Sequence, residues 1–165
     1  EKKKRKTDYE VYTVNDQFYG TLANASGYYR GKKDHVDIYV PEKSQELVVT
    51  YVQEQRRTAT VFERDKAASA NPYDVFFGGN HGLMQLDTAQ SGKRLLVIKD
   101  SYANCFLPFL IPYYKSITVV DPRYYYDDLD KLIEEQGIQE ILFLYNANTF
   151  FSDDSLNEIL KKEVK

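Results

Sequence analysis

The sequence has no tryptophan, one cysteine, one methionine and two histidines in 165 residues. A lone cysteine, Cys105, cannot close an intrachain disulfide or supply a thiolate metal cluster. The two histidines, His35 and His81, limit metal chemistry further, and no metal or other cofactor is expected. No stretch approaches the roughly 20 apolar residues of a membrane span, and no signal peptide is recognisable. Membrane attachment would need segments outside this sequence. An excess of positive charge is also lacking. Lys and Arg number 22 against 25 Asp and Glu, a net charge of −3, so there is no electrostatic case for nucleic acid. The basic run EKKKRK at the start is local and reads as a solvated terminus. The chain begins at Glu1, and its only methionine is Met84. The expectation is a processed chain or an excised fragment, and cysteine poverty leaves the compartment open.

What is present suits a single domain over residues 1–165, large enough to bury a core without staples. Hydrophobic residues make up 42% and charged residues 28%, an ordinary globular balance. The 15 tyrosines are the compositional excess. Tyrosine can present an amphipathic surface to sugars or proteins, but most of these are expected at half-buried positions of a sheet.

Three regions follow along the chain: a terminal strand region (1–17), a β-rich and loop-rich half (18–90) and an α/β half (91–165). DYEVYTV (Asp8 to Val14) and HVDIYV (His35 to Val40, before Pro41) have strand composition, and Phe18 to Asp34 reads as loops and turns. Glu46 to Glu63 holds two β-branched runs around a polar centre. It predicts a hairpin with strands near Leu47–Val52 and Thr58–Phe62. RLLVIKD, SITVVD and EILFLYN are continuous apolar runs of the kind buried on both faces of a parallel sheet. Asp127 to Gly137 predicts a helix with Leu129, Leu132 and Ile133 on one face and Gly137 as its stop. SDDSLNEILKKEVK opens with capping residues and ends in lysines, the favourable dipole order. A short helix is expected from about Tyr102, broken near Pro108. The predicted class is α/β: a three-layer sandwich on a mostly parallel sheet, preceded by a hairpin-containing half.

Ligands of open parallel sheets sit beyond the carboxyl ends of the strands. Those ends carry Asp100, Ser101 and Asn104, then Asp121 and Arg123, then Asn146 and Asn148. Ser101 on a strand-to-helix turn could be a nucleophile with adjacent amides for an oxyanion. Capping is the commoner use of a serine or aspartate there. The G-x-S-x-G frame is absent, and a serine nucleophile needs a base. FFGGNHGLMQL offers Gly78 and Gly79 for close backbone approach and Asn80 and His81 as oxyanion or substrate contacts; turn residues bonded to backbone are the plainer account. In DPRYYYDD, Arg123 can serve as an anion contact and the tyrosines as a sugar platform, or Arg123 can make an internal ion pair. Cys105 is expected to be a small buried hydrophobe.

Four blocks occur together and in order: FYGTLANASG, FFGGNHGLMQL, LLVIKDSYANCFLPFLIPYYKSITVVDPRYY and ILFLYNANTF. From Phe18 to Phe151 the chain resembles the DHHW proteins of Firmicutes, a family similar to SGNH hydrolases and their alginate O-acetyltransferase-like branch. The resemblance implies an SGNH- or flavodoxin-like fold and a bacterial envelope or extracellular location. It implies acyl esterase or O-acetyltransferase activity on surface carbohydrate, with Ser101 as nucleophile, the Ser101 amide with Asn104 or Asn80 holding the oxyanion, and Asp100, Asn146 and Arg123 as further oxyanion or substrate contacts. The partners implied are a polysaccharide or an acyl donor, and an oligomer stays open. The family's D-H-H-W motif, which precedes FYGTL and would supply aspartate and histidine, does not occur here. Asp34-His35-Val36 does not match it. The expectation is a C-terminal part of a larger protein with little activity of its own. Alternatives are a non-catalytic glycan- or protein-binding module, and a helper in which His81 serves Ser101 as base.

Overall fold

A computed structural model of the chain describes residues 5, 8–20, 23, 26–43 and 45–161. Most of the basic start, part of the expected loop at 18–34 and the lysines Lys162 and Lys165 lie outside the described residues. The chain divides into two compact units, Glu1–Ser44 with Glu63–Gly78 and Gln45–Phe62 with Gly79–Lys165.

In the first unit β1 (Tyr9–Phe18) and β2 (Asp34–Pro41) pair antiparallel, with Tyr9 opposite Pro41 and register irregularities on either side of Asn15. Asn15, paired with Val36 between these shifts, donates its side-chain amide to the Ala67 carbonyl at 3.2 Å. Ala67 lies in a 3-10 turn, Arg64–Ala68. A second turn, Pro72–Val75, has proline in its first position, where no amide donor is needed.

The second unit is built on a six-stranded sheet of order β4-β3-β5-β7-β6-β8. Its strands are β3 (Leu47–Tyr51), β4 (Arg56–Thr58), β5 (Leu83–Thr88), β6 (Arg94–Lys99), β7 (Ser116–Val120) and β8 (Glu140–Leu144). The expected hairpin is β3–β4, although its second strand comes earlier and is shorter than predicted. The expectation of a mostly parallel sheet is corrected. Only β6–β7 and β6–β8 pair parallel, whereas β3–β4, β3–β5 and β5–β7 are antiparallel. An apolar run reports burial on both faces but not the direction of its neighbour. The hairpin strands of the first half join the sheet of the second half, and the class is mixed α/β.

The runs of β6 and β7 are buried on both faces as expected, whereas EILFLYN is not: β8 lies at the sheet edge, and Ile141 and Phe143 are exposed. Leu96, Ile98, Leu83 and Val120 form a buried cluster with Tyr125, Leu129 and Leu132, against which Ile133, Ile138, Leu156 and Ile159 pack. Leu95, Val97, Ile117 and Val119 are buried as well. By strand alternation they lie on the opposite face. Each such side chain contributes about 1.5–3 kcal/mol. Helix α1 (Leu129–Gln136) begins at Asp128, whose carboxylate accepts from Lys131 N–H, and ends at Gly137 in the left-handed region (φ 57°). Two short helices follow, α2 (Ala147–Ser152) and α3 (Ser155–Leu160).

After β6 the expected short helix is replaced by three 3-10 turns, Ser101–Ala103, Leu107–Phe109 and Ile111–Tyr113. Pro108 and Pro112 occupy early positions of the last two turns, where a missing N–H is tolerated, and the chain cannot continue as one α-helix through them. Cys105 is exposed, contrary to expectation. The tight winding buries Ala103, Asn104 and Leu107 and turns residue 105 outward.

Candidate active site

The buried run of β6 ends in two charged residues, Lys99 and Asp100, each with 0% exposure. Burial of charge on this scale requires partners. Asp100 caps the Ser101–Ala103 turn, its Oδ1 accepting Tyr102 N–H at 2.9 Å. Its Oδ2 accepts the backbone N–H of Asn146 at 3.2 Å and also the Asn146 side-chain amide. One carboxylate therefore ties the end of β6 to the residue that caps α2, where Asn146 Oδ1 accepts Thr149 N–H at 3.0 Å. Asn146 is committed to this junction. Ser101, half-buried, occupies the first position inside the turn and is not its cap.

Lys99 is answered on two sides. Its Nζ donates to Asp121 Oδ2 at 3.2 Å and to Asn80 Oδ1 at 3.1 Å. Burial pushes the lysine pKa down, and the Asp121 charge and hydrogen bond oppose that shift. Asp121, at the end of β7, is itself fully buried. The Arg123 guanidinium grips it as a fork, Nε to Oδ1 at 2.9 Å and Nη2 to Oδ2 at 2.7 Å. This charge-assisted pair raises the Arg123 pKa. The ion-pair alternative for Arg123 is the one the geometry realises.

Asn80 lies in the segment leading into β5 and is exposed. It follows Gly78 (φ 81°) and Gly79 (φ 122°), a conformation that favours glycine. Asn104 is 1% exposed. Its Nδ2 donates to Gly79 O and to Asn80 Oδ1, both at 3.2 Å. The structure thus joins Asn80 to residues on both sides of Ser101, namely Lys99 before it and Asn104 after it. With both acceptors of its amide nitrogen assigned, Asn104 serves the frame of the site. Tyr145, at the end of β8, has a buried hydroxyl without a hydrogen-bond partner among the described residues. Burial, then the charges of Asp121 and Asp100, push its pKa up.

His81 pairs with Glu54 through Nδ1···Oε1 at 2.6 Å, and its ring meets Tyr51 edge-on at 4.6 Å. Burial works to raise the Glu54 pKa. The His81 hydrogen bond, the residue's own backbone and the nearby charges outweigh it and hold the carboxyl below its ordinary value. His35 is exposed and lies beside Asp34 and Asp37. Sequence reasoning missed Lys99 and Glu54. The legible signal for Lys99 was a lysine ending a run otherwise buried on both faces. Glu54, a polar residue in a hairpin turn, gave none. Among the described residues no cluster of His, Cys, Asp and Glu could hold a metal ion, and no helix is long and apolar enough to cross a membrane.

No protein-family model matches the chain, and no curated protein matches it. Among solved structures it is similar to a DHHW family protein from Eubacterium siraeum, with 26% identity and a TM-score of 0.80, over 96% of this chain and 55% of that one. It is also similar to Bacillus cereus PatB1 bearing a sulfonyl adduct, with 20% identity and a TM-score of 0.69, over 90% of this chain and 50% of that one. A second PatB1 structure aligns at 20% identity and a TM-score of 0.67. The chain therefore shares the fold of these proteins and spans about half the length of each.

Proposed function

We propose that the chain is the serine-bearing portion of a bacterial envelope acyl esterase or O-acetyltransferase of SGNH-like type, acting on surface carbohydrate. The observation that carries this reading is the setting of Ser101. It stands at the carboxyl end of a central parallel strand, in a turn capped by its neighbour Asp100, with Asn80 bonded to residues on either side of it. Likeness to a DHHW family protein over nearly the whole chain adds support. A sulfonyl adduct like that of PatB1 forms when an activated nucleophile meets a sulfonyl electrophile.

In this reading Ser101 Oγ bonds to the acyl carbonyl carbon while its proton passes to a histidine from the upstream part of the protein. The carbonyl π pair moves onto oxygen, facing the Ser101 amide and the Asn80 side chain. Collapse expels the donor alcohol, which takes the proton. A carbohydrate hydroxyl, or water, then releases the acyl group by the same steps in reverse. The test is acetyl-ester turnover and fluorophosphonate labelling by the full-length protein. Both are expected to vanish in Ser101→Ala, and unchanged turnover in that variant would reject the nucleophile.

Two other readings rest on particular observations. The Glu54–His81 pair already orients an imidazole inside this chain, which supports His81 as base in a helper role. Loss of labelling in His81→Gln of the isolated chain would favour it. The highly exposed rings of Tyr126 and Phe151 support a glycan- or protein-binding module, for which glycan binding indifferent to Ser101→Ala is the discriminating result.

A further inference from the structure

Asn80 Oδ1 accepts two hydrogen bonds, from Lys99 Nζ at 3.1 Å and from Asn104 Nδ2 at 3.2 Å. Two donors on one atom settle which way the amide faces. If the amide were turned over, its NH2 group would confront an ammonium and another NH2, and three donor groups would meet without an acceptor. Oxygen-inward is therefore the favoured orientation, and the NH2 group is presented outward. Asn80 Nδ2 has no hydrogen-bond partner among the described residues and belongs to an exposed residue. The stronger of the two anchors is the cationic one. Lys99 is itself anchored, being fully buried and paired with Asp121, which the Arg123 fork holds in turn.

We propose that Lys99 is a positioning residue for the acyl transfer: it fixes the Asn80 amide with its NH2 group outward as a ready donor to the developing oxyanion. This inference rests on Ser101 acting as the nucleophile. A donor held in place before reaction needs no reorganisation when charge appears, and that is the source of its effect. Lys99 touches neither substrate nor reacting atoms. Its influence passes through Asn80, whereas a merely structural lysine would act through the fold at large.

The test is a mutant cycle in the full-length protein with p-nitrophenyl acetate as substrate. Lys99→Met is expected to lower kcat about 10- to 100-fold with KM within about twofold, a share of the 10²–10³ that one oxyanion donor supplies. Asn80→Ala is expected to lower kcat at least as much. The double variant is expected to fall no further than Asn80→Ala alone, because Lys99 has nothing left to position. Losses that multiply in the double variant, or an unchanged kcat in Lys99→Met, overturn the proposal while leaving Ser101 as nucleophile. Full turnover in Ser101→Ala overturns both. Should Lys99→Met fail to fold, the unsubstituted chain still decides. A 15N ammonium signal of Lys99 protected from water exchange, with a cross-peak from Asn80, is expected. A signal exchanging like that of a surface lysine rejects the proposal.

Discussion

Asp100, and not Ser101, closes the turn after β6: Asp100 Oδ1 accepts the Tyr102 backbone N–H at 2.9 Å. The capping duty that competes with catalysis for this pair of residues falls on the aspartate. The same carboxylate also receives two donors from Asn146. Asp100→Ala is therefore expected to destabilise the chain by about 2–3 kcal/mol, from loss of the cap and of hydrogen bonds to a buried charge. Ser101→Ala should stay within about 1 kcal/mol of the parent, as a substitution away from the cap. Urea denaturation of both variants checks the contrast.

Gly82 admits no side chain. A Cβ there would stand 2.2 Å from the Tyr124 carbonyl oxygen and 2.8 Å from Gln53 Nε2. The approach is backbone to backbone, beside the bond from Asp121 N–H to Gly82 O at 3.1 Å. Gly82→Ala is expected to cost about 3 kcal/mol or more, at the upper end of overpacking effects. Gly31→Ala, where a Cβ meets nothing within 4 Å, should change stability by no more than about 0.5 kcal/mol. Thermal melts of the two variants provide the comparison.

The Glu54–His81 pair makes part of the stability depend on pH. The folded-state pKa of Glu54 lies below its ordinary value, so the unfolded chain binds the proton more readily. The contribution is therefore complete above the ordinary carboxylate range and is lost as pH falls through the depressed folded value. Wild type should be more stable than Glu54→Gln near neutrality, and the difference should shrink on acidification. Because Glu54 is 42% exposed, added salt should shrink it too. Melting curves across pH and ionic strength test both trends.

Cys105 is exposed, with its Sγ 3.7 Å from the Tyr102 carbonyl. The native chain is expected to release one equivalent of thionitrobenzoate from Ellman's reagent without denaturant. A thiol that reacts only after unfolding would contradict the winding of residues 101–113.

Much of the second unit was legible. Alternation and apolar runs located β3, β6, β7 and β8, because strand burial is written directly into side-chain chemistry. Gly137 marked the end of α1 because a left-handed stop is a local property of the backbone, and the expected start at Asp127 falls one residue before the Asp128 cap. The direction of strand pairing was not legible. Nor was the winding after Ser101, where prolines signalled interruption but not the 3-10 geometry replacing the helix. At the site, Ser101, Asp100, Asn80, Asn104, Asn146, Asp121 and Arg123 were all named from their places at strand ends or in a glycine turn. The Asp121–Arg123 ion pair, two positions apart, was open to sequence reading as one alternative; the pairings of Asp100, Asn80, Asn104 and Asn146 with distant partners were not, since hydrogen bonds across 19 to 46 positions leave no local trace.

The sequence by itself determined most strands of the second unit, the stop of α1 at Gly137, the poverty of thiol and imidazole groups, and the location of a serine at the end of a buried strand. Each of these follows from composition or short-range spacing. Only the tertiary structure decided that the sheet is mixed, that Asp100 takes the cap and that Cys105 faces out. It alone revealed that Lys99 is buried between Asp121 and Asn80. Those outcomes depend on which distant donors and acceptors fill each buried polar position, and that matching is settled when the chain packs.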